Sequence, residues 1–152
     1  MKYLLYIVFF STLMVLFSCE TCGIAVEPTV SVTLPQSINS NITKITIVGS
    51  NKDWENLNAI DYELPLNLNA DHTTYVFTQL NRTDTLTIYY KRKIYNASKQ
   101  CSYIIDLEQP DMPNPVKSTF KDVQYRYSSY YGRVRGLSQM GGEGIYVYIS
   151  QL

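Results

Sequence analysis

Histidine is almost absent from this sequence, because His72 is the only one among 152 residues. A metal site built from several imidazoles is therefore excluded, and no metal ligand or general-base partner stands near His72 at the usual spacing. No histidine follows Ser138, so the segment Gly136–Met140 is not the nucleophile elbow of a hydrolase. We interpret His72 as a solvated residue at a strand start, and we predict no metal site, no cofactor and no enzymatic activity.

Charge of one sign is also lacking, since 13 Lys and Arg residues balance 13 Asp and Glu residues. This balance favours neither nucleic acid nor an anionic membrane surface, and we predict no nucleic-acid partner. The most compact basic run, Lys91-Arg92-Lys93, ends a predicted strand, where cations commonly protect a sheet edge. An acidic partner for this run is the alternative.

Two further patterns are interpreted as structural. The glycines of Gly141–Gly144 lack the Lys and Ser/Thr of a phosphate-binding loop and predict a turn. Asp61 and Glu63 share one face of a predicted strand, with side chains about 7 Å apart. Glycosidase carboxylates have similar separations, but acids facing outward from an edge strand usually serve solubility.

Long apolar runs are confined to residues 3–17, which follow Lys2. A membrane-spanning helix needs about 20 such residues, so the run is typical of a signal peptide. It ends in Leu16-Phe17-Ser18-Cys19, which resembles the lipobox of bacterial lipoproteins: an aliphatic residue, a small residue before the cut, then Cys. The resemblance implies that residues 1–18 are removed and that Cys19 carries the lipid. A secretory signal with a coincidental Cys is the alternative.

Lipidation of Cys19 predicts a protein held on a membrane without crossing it. One acyl chain anchors a protein only marginally, whereas the two or three chains of a lipoprotein, palmitate among them, anchor it stably. We predict a signal peptide over 1–18, a lipidated linker over 19–28 and a single domain over 29–152.

Cysteine is scarce as well, and only Cys22 and Cys101 remain once Cys19 carries lipid. In an oxidising envelope a disulfide is the default for such a pair. Closing this loop would stabilise the fold by roughly 4 kcal/mol in the chain-entropy model. Two unpaired thiols are the alternative.

Apolar residues alternate with polar ones along most of the remaining chain, and no segment shows a helical period. The abundance of tyrosine, 14 residues, also favours strands. Turn residues such as Asn69-Ala70-Asp71 separate the segments. Eight segments alternate in this way: 29–34, 43–48, 60–68, 73–78, 85–94, 101–107, 123–127 and 145–149.

This pattern predicts an all-β domain of about seven to eight strands. The spacing between strands is longer than a simple meander needs, which favours an antiparallel, immunoglobulin-like β-sandwich with crossing connections. A small β-barrel is the alternative. Pro65 indicates that the strand around residues 60–68 lies at a sheet edge.

A cluster of aromatic and arginine side chains near the C-terminal end is the best candidate for a binding face, because such residues are enriched at recognition surfaces. A sugar or a peptide would be its ligand. Alternation puts Tyr125 and Tyr127 on the same side of a strand, so a core position is the alternative for both. The candidate residues are Trp54, Tyr125, Arg126, Tyr127, Tyr130, Tyr131 and Arg133.

The chain also resembles small Bacteroidetes-type envelope lipoproteins of unknown function. The resemblance rests on the lipobox Cys with a second Cys close behind, and on LPLNLNADHTTYVFT (64–78), DTLTIYYKRK (84–93) and CSYIID (101–106). It implies an envelope location and a Cys22–Cys101 pair. Surface-exported members carry an acidic run after the lipidated Cys. Here only Glu20 follows, which favours an outer-membrane protein facing the periplasm.

Three functions remain open from the sequence. The leading hypothesis is a membrane-anchored, non-enzymatic module that binds an envelope protein or a glycan. An enzyme acting on envelope polymers is the first alternative, and the structural subunit of a surface fibre, joined by strand addition, is the second.

Overall fold

The computed structural model describes residues 27–39, 41–49, 53–54, 61–96, 103–128 and 144–151. These residues fold almost entirely into β-strands, which confirms the predicted all-β class. The lipid and disulfide cysteines Cys19, Cys22 and Cys101 lie outside the described residues. So do the signal peptide and three members of the predicted binding face: Tyr130, Tyr131 and Arg133.

Eleven strands and one short helix form within the described residues. The helix, α1, spans Gln36–Asn39 and follows Pro35. The strands are β1 (Thr29–Thr33), β2 (Ile42–Ile47), β3 (Asp53–Trp54), β4 (Asp61–Pro65), β5 (His72–Gln79), β6 (Thr83–Tyr89), β7 (Lys91–Asn96), β8 (Tyr103–Glu108), β9 (Val116–Ser118), β10 (Lys121–Tyr127) and β11 (Ile145–Gln151).

Three sheets result from the pairing of these strands. One has four strands in the order β10-β11-β1-β4, and a second has five in the order β3-β2-β5-β6-β9. The third is a two-stranded ribbon of β7 and β8. None of them closes on itself within the described residues, so the sandwich, not the alternative barrel, describes the fold. Among the described strands, β4 lies at a sheet edge, as Pro65 predicts.

A single core joins the inner faces of the two large sheets. Most of their strands contribute alternate side chains, because successive residues of a strand point to opposite faces. Phe120 lies where the chain crosses between the sheets, and its ring packs edge-on against Phe77 at 5.4 Å. The four-stranded sheet contributes Val30, Val32, Tyr62, Leu64, Ile145, Val147 and Ile149; the five-stranded sheet contributes Ile45, Ile47, Tyr75, Phe77, Leu86 and Ile88.

The long strand predicted over 85–94 is two strands. Alternation continues inward through Leu86, Ile88 and Tyr90, but β6 ends at Tyr89 and β7 begins at Lys91. The backbone N–H of Tyr90 donates to the carbonyl of Asp71, and its hydroxyl donates to the carbonyl of Asn67. Because these bonds hold Tyr90 to the β4–β5 turn, the chain leaves the five-stranded sheet there and pairs with β8 instead.

The structure differs from the predicted antiparallel sandwich in two details. One pair of strands, β1 and β11, is parallel, with Val30 opposite Ile145 and Thr33 opposite Tyr148. The predicted seven to eight strands become eleven, because the 85–94 segment divides into β6 and β7 and because β3 and β9 have only two and three residues. Such short strands show no alternation that a sequence pattern could reveal.

Candidate functional site

The outer face of the four-stranded sheet carries two parallel rows of polar and aromatic side chains. In the first row Arg126 lies opposite Tyr146, which lies opposite Ser31 and then Glu63. Because neighbouring strands are about 4.8 Å apart, such a row extends for about 15 Å. We call the two rows together the tyrosine face.

The second row repeats the chemistry of the first one step along the strands. Gln124 lies opposite Tyr148, followed by Thr33 and Asp61. Each row therefore runs from a hydrogen-bond donor through a tyrosine and a hydroxyl to a carboxylate. Tyr148 is 45% exposed, so its ring is open to a ligand.

Arg126 and Tyr146 form a stacked pair at one side of this face. The guanidinium carbon lies 4.9 Å from the centroid of the Tyr146 ring, which is within the range of a cation–π contact. This contact holds the Tyr146 ring in place and positions the Arg126 guanidinium of β10 over the neighbouring strand β11. The exposed Tyr148 lies two residues further along β11, about 7 Å away on the same side of the sheet.

The carboxylate side of the face is ordered by a hydrogen bond. Thr33 Oγ1 donates to Asp61 Oδ1 at 2.6 Å, which fixes the carboxylate at the edge strand. Glu63 occupies the equivalent position of the other row and is exposed. The two acids therefore lie on the same outward face, as their spacing predicts, next to hydroxyls that extend the hydrogen-bonding surface.

Two of the predicted binding residues lie on the other side of β10. Tyr125 and Tyr127 point toward the core side, with their rings edge-to-face at 6.1 Å. Tyr127 packs against the core, and its hydroxyl donates to the Tyr89 carbonyl across the sandwich at 2.5 Å. Burial, with a smaller contribution from Tyr125, raises the pKa of Tyr127 well above its ordinary value. Tyr127 therefore joins the two sheets.

The predicted cluster is thus divided between the two faces of β10. Arg126 alone among its described side chains lies on the tyrosine face. Trp54 belongs to β3 in the other sheet, where it pairs with Ile45, and its side chain is outside the described part. Sequence reasoning missed Tyr146 and Tyr148. The signal was present, because both alternate with the inward Ile145, Val147 and Ile149.

The remaining candidates are simpler. His72 begins β5, exposed, with Nδ1 2.7 Å from Asp71 Oδ1. This hydrogen bond lowers the pKa of Asp71. Among the described residues no group of three or more His, Cys, Asp or Glu could hold a metal ion. A cleft of about 290 Å³ lies between Glu27, the end of β2 and the β4–β5 turn.

The described part of the chain contains no helix with the length and apolar character that a bilayer crossing requires.

Residues 43–113 match a family model described as a family of unknown function (DUF6452). The match is slightly shorter than half of the chain. It runs from β2 to beyond β8 and includes, of the tyrosine face, only the β4 carboxylates. No curated protein and no solved structure matches the chain.

Proposed function

We propose that this protein is a lipid-anchored, non-enzymatic glycan-binding module of the bacterial envelope. Its anchor is the acylated Cys19, at the outer membrane and facing the periplasm, and its ligand lies along the tyrosine face. The observation that supports binding is the repeat of one chemical sequence in two adjacent rows: donor, tyrosine, hydroxyl and carboxylate.

The chemistry of this face suits a sugar polymer better than a protein. The centre of a protein interface is enriched in Tyr and Arg but depleted of Asp and Glu, which end both rows of this face. Here each tyrosine is flanked by a hydroxyl on one side and by Arg126 or Gln124 on the other. Aromatic rings offer a flat apolar surface to a sugar ring, while carboxylates and hydroxyls bind its hydroxyl groups. A face that extends for about 15 Å along each row also suits an elongated ligand.

Binding to an array of bacterial envelope saccharides, including peptidoglycan fragments and O-antigen chains, tests the ligand. We expect Tyr148→Ala to weaken binding by about tenfold, since losing roughly 1.4 kcal/mol of contact has that effect. Arg126→Ala should weaken binding as well, because it frees the Tyr146 ring. Tyr148→Phe should retain most of the affinity, since the ring is kept.

The matched control is Tyr89→Ala, which removes a partly exposed tyrosine from the outer face of the other sheet. Its ring contacts His72 and Lys117 and takes no part in the tyrosine face. Equal loss in Tyr89→Ala and Tyr148→Ala would contradict this location for the site. Retention of a folded partner protein, but of no saccharide, would favour the protein ligand instead.

The anchor is tested separately by metabolic labelling with an alkynyl palmitate. The wild-type chain should take up the label and float with membrane vesicles, whereas Cys19→Ala should do neither. Cys22→Ala is the matched control, since it removes a thiol three residues away and should be labelled normally. A Cys19→Ala variant that still matures to the same size and floats would contradict the anchor.

A further inference from the structure

The tyrosine face continues past Glu63 into the cleft at the end of β4. Pro65 is the next residue on the same outward face of β4, and it also lines the cleft of about 290 Å³. The surface between them is low, because Thr29 lies opposite Pro65 and the adjoining Gly144 has no side chain. Ligand sites are usually about 300–1,000 Å³, so the cleft is a small one. It has room for one group of a ligand that extends along the tyrosine face.

Asn67 is held firmly in the wall of this cleft. Its backbone N–H donates to Thr73 Oγ1 at 2.8 Å, and its carbonyl accepts the Tyr90 hydroxyl at 2.6 Å. Its side-chain Oδ1 accepts the backbone N–H of Asn69 at 3.1 Å. Because Oδ1 is engaged in the turn, Nδ2 points the other way, and a Cβ added at Gly49 across the cleft would stand 3.5 Å from it. The direction of this amide donor is therefore fixed before any ligand arrives.

One donor and one acceptor of the cleft have no partner among the described residues: Asn67 Nδ2 and the carboxylate of Glu27. In the same part of the chain every buried side-chain nitrogen or oxygen has a hydrogen-bond partner, so the unpartnered Nδ2 is open to the cleft. Two apolar side chains complete the lining, since Val48 is 54% exposed and Leu66 is half-buried. The cleft thus combines a free donor, a free acceptor and an apolar wall.

We propose that this cleft binds the acetamido group of an N-acetylated amino sugar, which belongs to the glycan on the tyrosine face. The inference rests on the proposed function and names the class of sugar. The acetamido carbonyl accepts from Asn67 Nδ2, its N–H donates to the Glu27 carboxylate, and its methyl group packs against Val48 and Leu66. A sugar hydroxyl lacks the methyl group and has only one heavy atom for the two polar partners.

A peptide amide is the competing ligand, since it also has a carbonyl and an N–H. A peptide chain continues on both sides of each amide, whereas an acetamido group ends in its methyl group. A cleft of about 290 Å³ suits a group that ends inside it. Its continuity with the tyrosine face through Pro65 places the rest of the sugar beside Glu63 and the rows of that face.

Calorimetric titration of the full lipidated protein in detergent micelles tests the proposal with two neutral trisaccharides. Chitotriose carries an acetamido group on each ring, and cellotriose has the same linkage with a hydroxyl in its place. We expect chitotriose to bind about tenfold more tightly, because a site with a donor and an acceptor for one group discriminates against a ligand that lacks it.

Asn67→Asp should abolish this preference, because the carboxylate still accepts from Asn69 but no longer donates to the sugar. The matched control is Asn81→Asp, which makes the same change of charge at an exposed asparagine of the β5–β6 turn. Glu27→Ala removes the acceptor from an exposed residue before β1 and should also reduce the preference. Tyr148→Ala should weaken both trisaccharides equally, since the tyrosine face contacts the rings.

Equal binding of both trisaccharides, with loss only in Tyr148→Ala, would overturn the inference and leave the proposed function standing. Binding of another envelope saccharide, but of neither trisaccharide, would do the same. Absence of binding to every saccharide would overturn both. A preference that survives in Asn67→Asp and Glu27→Ala, or that is lost equally in Asn81→Asp, would overturn the location in the cleft. Binding of trialanine instead of chitotriose, lost in Asn67→Asp, would identify a peptide ligand and also overturn the inference.

Discussion

Gly144 lies so close to Thr29 that a Cβ added at Gly144 would stand 1.9 Å from the Thr29 carbonyl oxygen. The two residues mark the start of the parallel pair, one step before Val30 meets Ile145. The atoms in the way belong to the backbone of β1, and a strand held on both sides by β11 and β4 cannot yield to them. Glycine is therefore required here by space.

Gly144→Ala should lower the free energy of unfolding by about 3 kcal/mol, the upper range for overpacking a tight site. Urea unfolding followed by circular dichroism measures this. The contrast is Gly49→Ala, where the new Cβ would have an ordinary 3.5 Å contact but the φ of +86° strains the backbone. That strain should cost about 1–2 kcal/mol. A milder effect at Gly144 than at Gly49 would contradict the close approach.

The buried Tyr90 hydroxyl is expected to be a strong local determinant of stability. It donates to the Asn67 carbonyl at 2.6 Å and lies 2.7 Å from Thr73 Oγ1. Tyr90→Phe leaves both groups without this partner and should destabilise the fold by about 1–3 kcal/mol. Tyr148→Phe, on an exposed tyrosine, should change stability by less than about 0.5 kcal/mol. Equal effects in the two variants would contradict this role.

Alkaline pH should unfold the domain through its buried tyrosines. Burial raises the pKa values of Tyr62, Tyr75, Tyr90 and Tyr127 above the ordinary value of 10.0. Because these pKa values are higher in the folded state than the ordinary 10.0, the domain keeps its full free energy of unfolding below pH 10.0. That free energy falls as the pH rises through the folded-state pKa values of the tyrosines. Near-ultraviolet absorbance should show these tyrosines ionising only as the circular-dichroism signal is lost. Their ionisation in a folded domain would contradict the prediction.

The Cys22–Cys101 disulfide stays a prediction, and Cys101 is two residues from the start of β8 at the ribbon. Cys22→Ser and Cys101→Ser should each lower stability by roughly 2–4 kcal/mol. The double variant should cost little more, because both substitutions remove the same bond. Thiol titration of the unfolded, unreduced mature protein decides the point directly. Two reactive thiols in the lipidated chain would mean that the bond is absent.

Alternation alone predicts the inward side chains of the sandwich, since residues such as Val30, Val32 and Val147 each face the core as the period of two requires. The partners of each strand are not encoded in that period. The pairing of β1 with β11 joins residues far apart in sequence, and only packing of the whole chain decides it. The break at Tyr90 is hidden for the same reason, because its cause is a hydrogen bond to a distant turn.

The candidate site was harder to predict than the fold. Tyr125 and Tyr127 are conspicuous in the sequence next to Arg126, but an arginine between two tyrosines on a strand must point away from both. Its real neighbour is Tyr146, which lies opposite it on β11. A binding face on a sheet is assembled across strands, so a cluster along one strand is a poor guide to it.

The parallel pairing of β1 with β11 also determines when the four-stranded sheet can be completed during folding. If the chain crosses a membrane as proposed, β1 reaches the far side before its partner β11, so the four-stranded sheet cannot be completed until β11 has followed. Contacts between segments so distant in sequence are slow to form. Until then, the apolar side chains of β1 and β4 lack the neighbour that covers them. We therefore expect the unfolded chain to be most prone to aggregation before β11 is available to pair.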